Sequence, residues 1–380
     1  MWLPDVDPSR EAELWAASGA LALTGYPDGP PRSAPGAPAG VVRAALDVIA
    51  RAYPEASLPG VEVLGQRAAF AGFGRNAPWS CGGAFRVLPT MDGWFGLSLS
   101  RDSDVELLPA LVEGEVDEPW PTVAQWLMGT TCAAAAERVV LLGLPGGPVP
   151  REPLPPRRDP ILATPGGARR PDAAPLVVDL TSLWAGPLCG ALLVRTGAHV
   201  IKVESAARPD GARGGPAAFF DVLNGAKESL VLDFADPAQL RQLRELVASA
   251  DVVLEASRPR ALRQLGIDAE SVVAQGGIWL SITAYGRVGD DAMRVGFGDD
   301  IAAAAGLVGW DEDGPFPVGD ALADPLSGVV GAAAVVRALQ RTSGVLLDLS
   351  MHDLAAWTAG VPRTDRRGML SDRRGGSSAG

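Results

Sequence analysis

The chain has 380 residues but only two histidines, His199 and His352, and three cysteines, Cys81, Cys132 and Cys189. The cysteines lie far apart and the histidines are few, so neither a His-rich metal site nor a Ser-His-Asp triad is expected, and no metal is assigned. Any catalysis then falls to carboxylates, backbone groups and Lys/Arg. One carboxylate is placed for such work: Asp324, in the stretch Val318-Gly319-Asp320-Ala321-Leu322-Ala323-Asp324-Pro325-Leu326-Ser327-Gly328-Val329-Val330-Gly331. Pro325 follows it and an Ala/Val/Leu-rich run continues to Leu339, a pattern that makes Asp324 the N-cap and Pro325 the first residue of a helix. The partial positive charge and unpaired N–H groups of a helix start would keep Asp324 ionised and usable as a nucleophile. A plain structural cap has the same local signature.

The elements that must position Asp324 are legible from Pro175 onward, where short β-branched runs alternate with helical segments. Residues 176–180, 200–203, 230–233, 252–254 and 278–282 read as strands, and 187–196, 237–250 and 260–265 as the helices between them. The fold class is therefore α/β: a doubly wound, parallel, Rossmann-like sheet over 175–360, plus a smaller α+β domain within 1–150. In the latter, 11–23, 41–53 and 120–142 read as helical, and 81–89 and 92–99 as two short strands around a turn. Residues 151–174, dense in Pro and Arg, read as an interdomain linker, and 361–380 as a disordered polar tail. Ligands of such sheets gather where strands end, here at 181–187. Glu204 ends the second strand, where a dinucleotide fold places its ribose-binding acid. The first turn, however, is Asp179-Leu180-Thr181-Ser182-Leu183-Trp184-Ala185-Gly186-Pro187, with no G-x-G-x-x-G, and the chain holds no Walker A sequence.

Composition narrows the partners. A formal net charge of -12 disfavours nucleic acid and anionic membrane surfaces. The longest uncharged window, 119–136, carries Pro121, Gln125, Thr130 and Thr131 and does not read as a membrane span. The start of the chain lacks a signal pattern, and lone thiols suit a reducing compartment, so a cytoplasmic protein acting on small molecules is expected.

Several stretches, in order, resemble the family III CoA-transferases, the group of formyl-CoA transferase, carnitine CoA-transferase and the α-methylacyl-CoA racemases. They are Val178-Asp179-Leu180, Ala185-Gly186-Pro187, Thr196-Gly197-Ala198-His199-Val200-Ile201-Lys202-Val203-Glu204, Asn224-Gly225-Ala226-Lys227, Ala250-Asp251-Val252-Val253-Leu254-Glu255, Arg258-Pro259 and Ala323-Asp324. The resemblance implies CoA transfer from an acyl-CoA to a carboxylic acid, with coenzyme A as cosubstrate and no permanently bound cofactor. Asp324 would attack the thioester to give a mixed anhydride and then an aspartyl-CoA thioester. Leu183, Trp184 and Ala185 match positions that hold the CoA moiety, and Lys227 and Arg258 match basic positions that can face its phosphates. Ser205 and Thr283 stand where or near where formyl-CoA transferase has basic residues. Gly82-Gly83 resembles a shortened form of the glycine-rich loop that closes over the site in some members, and reads equally as a turn between strands. Racemases of the group pair the aspartate with a histidine at the position of Phe297, so transfer is favoured over racemisation. The aromatics Trp79, Phe85, Trp94 and Phe95 suit either an acyl pocket or a core.

The order of segments departs from the family. Residues 1–150 resemble its second half: Asp92-Gly93-Trp94 and Gly143-Leu144-Pro145-Gly146-Gly147-Pro148-Val149 look like segments that ordinarily follow the aspartate. An internal echo accompanies this. Trp15–Gly19, Asp28-Gly29-Pro30, Gly40-Val41-Val42 and Gly60-Val61 recur as Ala302–Gly306, Asp313-Gly314-Pro315, Gly328-Val329-Val330 and Gly344-Val345. The first copy has Gly36 near the place of Asp324 and cannot supply the nucleophile. Ordinary members form interlocked dimers, so a homodimer is expected. Two other functions compete: a non-catalytic relative that binds CoA or a partner, motivated by the rearranged order, and a dinucleotide-dependent oxidoreductase, motivated by the sheet and Glu204.

Overall fold

The computed structural model of the chain describes residues 2–169, 174–257 and 259–362. The N-terminal region opens with helix α1 (Glu11–Ala17), which Gly19 stops at φ 79° before a 3-10 turn, so the helical run 11–23 is two pieces rather than one. α2 (Pro38–Ala52) begins on a proline, where the missing N–H costs nothing. α3 (Gln66–Ala71) then leads to the strands β1 (Phe85–Pro89) and β2 (Trp94–Ser98). After α4 (Asp102–Glu106) and α5 (Leu108–Val112), α6 (Pro119–Met128) and α7 (Cys132–Leu142) are separated at Gly129, and β3 (Gly146–Pro148) pairs antiparallel with β2. These helices cover one face of the β1-β2-β3 sheet, burying Phe95, Leu97, Leu108, Leu111 and Leu127.

The larger sheet has the order β4-β12-β9-β8-β5-β6-β7. Its strands are β4 (Ile161–Ala168), β5 (Leu176–Asp179), β6 (His199–Ser205), β7 (Glu228–Leu232), β8 (Val252–Glu255), β9 (Ile278–Thr283) and β12 (Ser343–Ser350), all parallel except β4. Between them run α8 (Ala185–Arg195), α9 (Ala217–Asn224), α10 (Pro237–Ser249), α11 (Pro259–Gln264) and α12 (Ala269–Ala274). The excursion from β9 to β12 carries α13 (Gly298–Ala304), the hairpin β10 (Gly309–Asp311) and β11 (Gly314–Phe316), and α14 (Ala323–Leu339); α15 (Met351–Ala359) closes the described chain. The five parallel strands expected from sequence are all present, in a doubly wound sheet.

One expectation needs correction. The segment 151–174 is not wholly a linker, because Ile161–Ala168 forms β4 on the sheet edge. Its arginines tie it to the sheet side: Arg158 bonds Asp348 at 2.8 Å and Arg157 bonds Asp291 at 2.5 Å. Pro- and Arg-rich composition concealed a strand whose outward residues are exposed. Of the expected tail, 363–380 lies outside the described residues.

The internal echo has a structural counterpart. α1 and α13 end alike: Ser18 N–H donates to Leu14 and Ala305 N–H to Ile301, and the following Gly19 and Gly306 take φ 79° and 83°. α2 and α14 follow them and pack together within one core. α14 is apolar all round and buried between α2 on one side and α8 on the other. Gly328 makes the α8 contact: a Cβ there would lie 2.5 Å from the Ala185 carbonyl. Gly328→Ala is expected to push α14 from α8 and cost about 1–3 kcal/mol; a lowered thermal midpoint with retained helicity checks this, and an unchanged midpoint contradicts it.

Candidate functional site

α14 starts before the proline. Leu322 is the N-cap and Asp324, whose N–H donates to the Ala321 carbonyl at 2.8 Å, is the second helical residue. Pro325 is tolerated third because first-turn N–H groups have no helical partner. Asp324 is thus not the N-cap. It is half-buried, and its carboxylate packs on Gly298, where a Cβ would lie 2.6 Å from Oδ2. Its ionisation also departs from expectation: the carboxyl is pushed up to about 7. Burial is the main cause; Asp299 and Asp320 add to it, while the Arg67 charge and a hydrogen bond from the Gly298 backbone oppose it. Two neighbouring acids and lost hydration outweigh the helix end.

The three residues from Gly319 to Ala321 are each tied down. Gly319 N–H donates to Thr24 Oγ1 at 2.9 Å. Asp320, fully buried, takes a two-pronged bond from Arg67, with Nε at 2.9 Å from Oδ2 and Nη2 closing on Oδ1. The Cys81 thiol donates to the same carboxylate at 3.3 Å. Ala321 N–H donates to Asp299 Oδ1 at 3.0 Å. Backbone angles show why ties are needed: Gly319 has φ 69° and Ala321, which has a side chain, φ 41°. Burial and the charge of Asp320 raise Asp299 to about 6. Burial, then Asp320 and Asp299, push the Cys81 thiol far up, so it stays protonated and is no nucleophile. Next along α13, Asp300 receives Ser98 Oγ from β2 at 2.8 Å.

Arg67 also reaches the first strand-to-helix turn. Its guanidinium lies 5.1 Å from the centre of the Trp184 ring, which meets Phe219 edge-on at 5.3 Å. Trp184 and Ala185 are buried, whereas Leu183 is exposed at φ 69° with its N–H bound to Asp210 Oδ1 at 2.9 Å. Lys227 is enclosed: Nζ bonds Asp179 Oδ2 at 2.7 Å, the Pro187 carbonyl at 2.9 Å and Asn224 Oδ1 at 3.0 Å. Its three protons thus have partners inside the protein, and it braces the turn under α8. Arg258 lies outside the described residues. Gly82 and Gly83 form the turn before β1, beside Cys81 and hence beside Asp320; Gly83 takes φ 77°. Of the aromatics, Phe85 and Phe95 are core, and Trp79 is exposed under Arg86.

The structure therefore brings Asp324, Trp184 and the Gly82-Gly83 turn into one neighbourhood. Sequence reasoning missed Thr24, Arg67, Cys81, Asp299 and Asp320 as its other members. Asp320 and Asp324 stand four apart just ahead of an apolar run, a spacing that could have flagged the pair; Arg67 stands in no motif. Among the described residues, no group of three or more His, Cys, Asp or Glu side chains is placed to hold a metal ion.

A family model described as CoA-transferase family III matches residues 175–376. The succinate–glutarate CoA-transferase of Agrobacterium fabrum is 31% identical over 200 residues, 47% of this chain and 50% of the relative. The succinyl-CoA–D-citramalate CoA-transferase of Chloroflexus aurantiacus is 30% identical over 217 residues, 52% of this chain and 54% of the relative. A CAIB/BAIF family protein from Brucella suis matches as a structure with 31% identity and a TM-score of 0.44, covering 50% of this chain and 55% of that one. This chain spans about half the length of the relatives it matches. On the match over more than half its length, the chain belongs to CoA-transferase family III.

Proposed function

We propose that the chain transfers CoA from an acyl-CoA to a carboxylic acid, with Asp324 as the nucleophile. The observation that carries this is the placing of one half-buried carboxylate at the start of α14, four residues after Asp320, whose partner Arg67 lies on Trp184 at the turn where ligands of such sheets bind. The ionised Asp324 attacks the thioester carbonyl, forming an acyl–aspartyl anhydride and expelling CoA thiolate. The thiolate then attacks the aspartyl carbonyl, releasing the first acid and leaving an aspartyl-CoA thioester. An acceptor carboxylate repeats the sequence in reverse and departs as the new acyl-CoA. No proton has to be removed from the nucleophile at the moment of attack, which suits a chain so poor in histidine. With the carboxyl at about 7, the reactive fraction grows as pH rises through neutrality. Leu183, Trp184 and Ala185 are assigned to the CoA side of the site and Gly82-Gly83 to its edge. Arg258 keeps its assignment to the CoA phosphates from the resemblance alone. Lys227 is assigned to supporting the turn on which CoA rests.

The oxidoreductase reading finds no support at Glu204, whose carboxylate is taken by Asp210 N–H at 2.8 Å and by Arg213 at 2.6 and 3.1 Å. A second reading has one observation in its favour. Asp299 stands near Asp324 and holds its own proton up to about pH 6, so the pair could exchange a proton at the carbon beside a thioester. Deuterium from heavy water entering a recovered acyl-CoA would support that reading; its absence would remove it.

Succinyl-CoA with hydroxylamine is expected to convert Asp324 to a hydroxamate, at least about a hundredfold faster than any labelling of Asp324→Asn. Peptide mass mapping reads this directly, and equal behaviour of the two proteins contradicts the proposal. Cys81, held as a thiol, is expected to react with iodoacetamide at least about tenfold more slowly than free cysteine. An ordinary rate at Cys81 would reopen the thiol as a competing nucleophile.

A further inference from the structure

Asp324, Asp299 and Asp320 crowd three carboxylates around one loop, and a nucleophilic carboxylate must be charged to react. Their mutual repulsion opposes that charge. The cation whose charge acts on Asp324 is Arg67, and it arrives from α3, far away in sequence and in the N-terminal region. Its hold is specific. Nε and Nη2 meet the two oxygens of Asp320 in a fork, the arrangement that fixes a guanidinium plane better than a single bond can. Trp184 lies under its face, Phe219 fixes Trp184 from the side, and Phe70 of α3 itself packs on Phe219 with ring centres 6.2 Å apart. The Cys81 thiol completes the setting of Asp320. A lysine could supply charge here, but neither the fork nor the stack.

We infer that Arg67 is a positioning residue for the nucleophile: anchored on Asp320 and Trp184, it brings the positive charge that lets Asp324 ionise beside Asp299 and Asp320. The inference rests on the transferase reading. It assigns the N-terminal region a part in the chemistry of the other half of the chain. The charged and titratable groups facing Asp324 act in both directions. Asp299 from α13 and Asp320 from the preceding loop hold its proton on, and Arg67 from α3 takes it off. Cys81 stays neutral and contributes through its bond to Asp320. Arg67 has no contact with Asp324 among the hydrogen bonds and ion pairs of the described residues, so its effect is exerted through charge and through the loop it anchors.

The test uses the full chain with succinyl-CoA and hydroxylamine, following hydroxamate formation at Asp324 from about pH 5 to 9. The wild-type rate is expected to climb through a midpoint near 7. Arg67→Met should raise the midpoint by about one unit or more, a roughly tenfold loss of rate on the acid side. Arg67→Lys should move it the same way but less, and Asp299→Asn should move it down. A purely structural role would lower the rate equally at every pH and leave the midpoint in place, and that result overturns the inference alone. If wild type forms no hydroxamate, the transferase reading falls and this inference with it. Should Arg67→Met fail to fold, Arg67→Gln takes its place; a midpoint unmoved in Arg67→Gln overturns the inference as before.

Discussion

The loop that presents Asp324 depends on ties made from outside it, and the central one is the Arg67–Asp320 pair. Ala321 holds a left-handed backbone that a residue with a side chain avoids, at a cost of about 1–3 kcal/mol. That conformation persists because Thr24 binds the residue two before it, Arg67 and Cys81 bind the residue before it, and Asp299 receives its own N–H. Three of those four partners belong to the N-terminal region. Breaking the pair would leave a fully buried carboxylate uncompensated, which typically costs about 3–5 kcal/mol. The loop and the N-terminal region therefore hold each other in place.

The same arrangement creates an electrostatic tension. Burial and two acids push Asp324 toward its neutral form, and Arg67 pulls it back. A raised carboxyl is a more basic and hence stronger nucleophile once ionised, while too high a value would leave little of it ionised. A midpoint near neutrality lies between those limits. Asp324 sits in the first turn of α14, where the helix start favours the charged form, but burial and the two neighbouring acids outweigh it.

How much of this could be read from the residues divides along physical lines. The parallel strands were legible because each is a short apolar run with turn residues at its ends, and β5, β6, β7, β8 and β9 all fall where those runs lie. β4 was not, because an edge strand exposes most of its side chains and its Pro165, Gly166 and Gly167 look like a linker. Asp324 was legible as the carboxylate at the head of the apolar helix, although a proline suggested the wrong register by two residues. The echo of α1–α2 in α13–α14 was visible as repeated Gly and Val positions, and its left-handed glycines recur in space. Arg67, Cys81 and Thr24 were invisible, since what selects them is a meeting of segments some 240 to 300 positions apart, and no local pattern encodes that. Lys227 was misleading in the other sense: a basic residue in a family motif is here consumed by a buried pair with Asp179.

The ties from the N-terminal region to Gly319 and Asp320 are what the rest of the site depends on. Hydrogen exchange of the peptide covering 318–324 measures this most directly, comparing the full wild-type chain with Asp320→Asn. Faster exchange at Gly319 and Ala321, together with faster exchange in the segment around Arg67 and Cys81, is expected. Unchanged protection in both segments would mean that the loop keeps its shape without the pair, and would contradict that dependence.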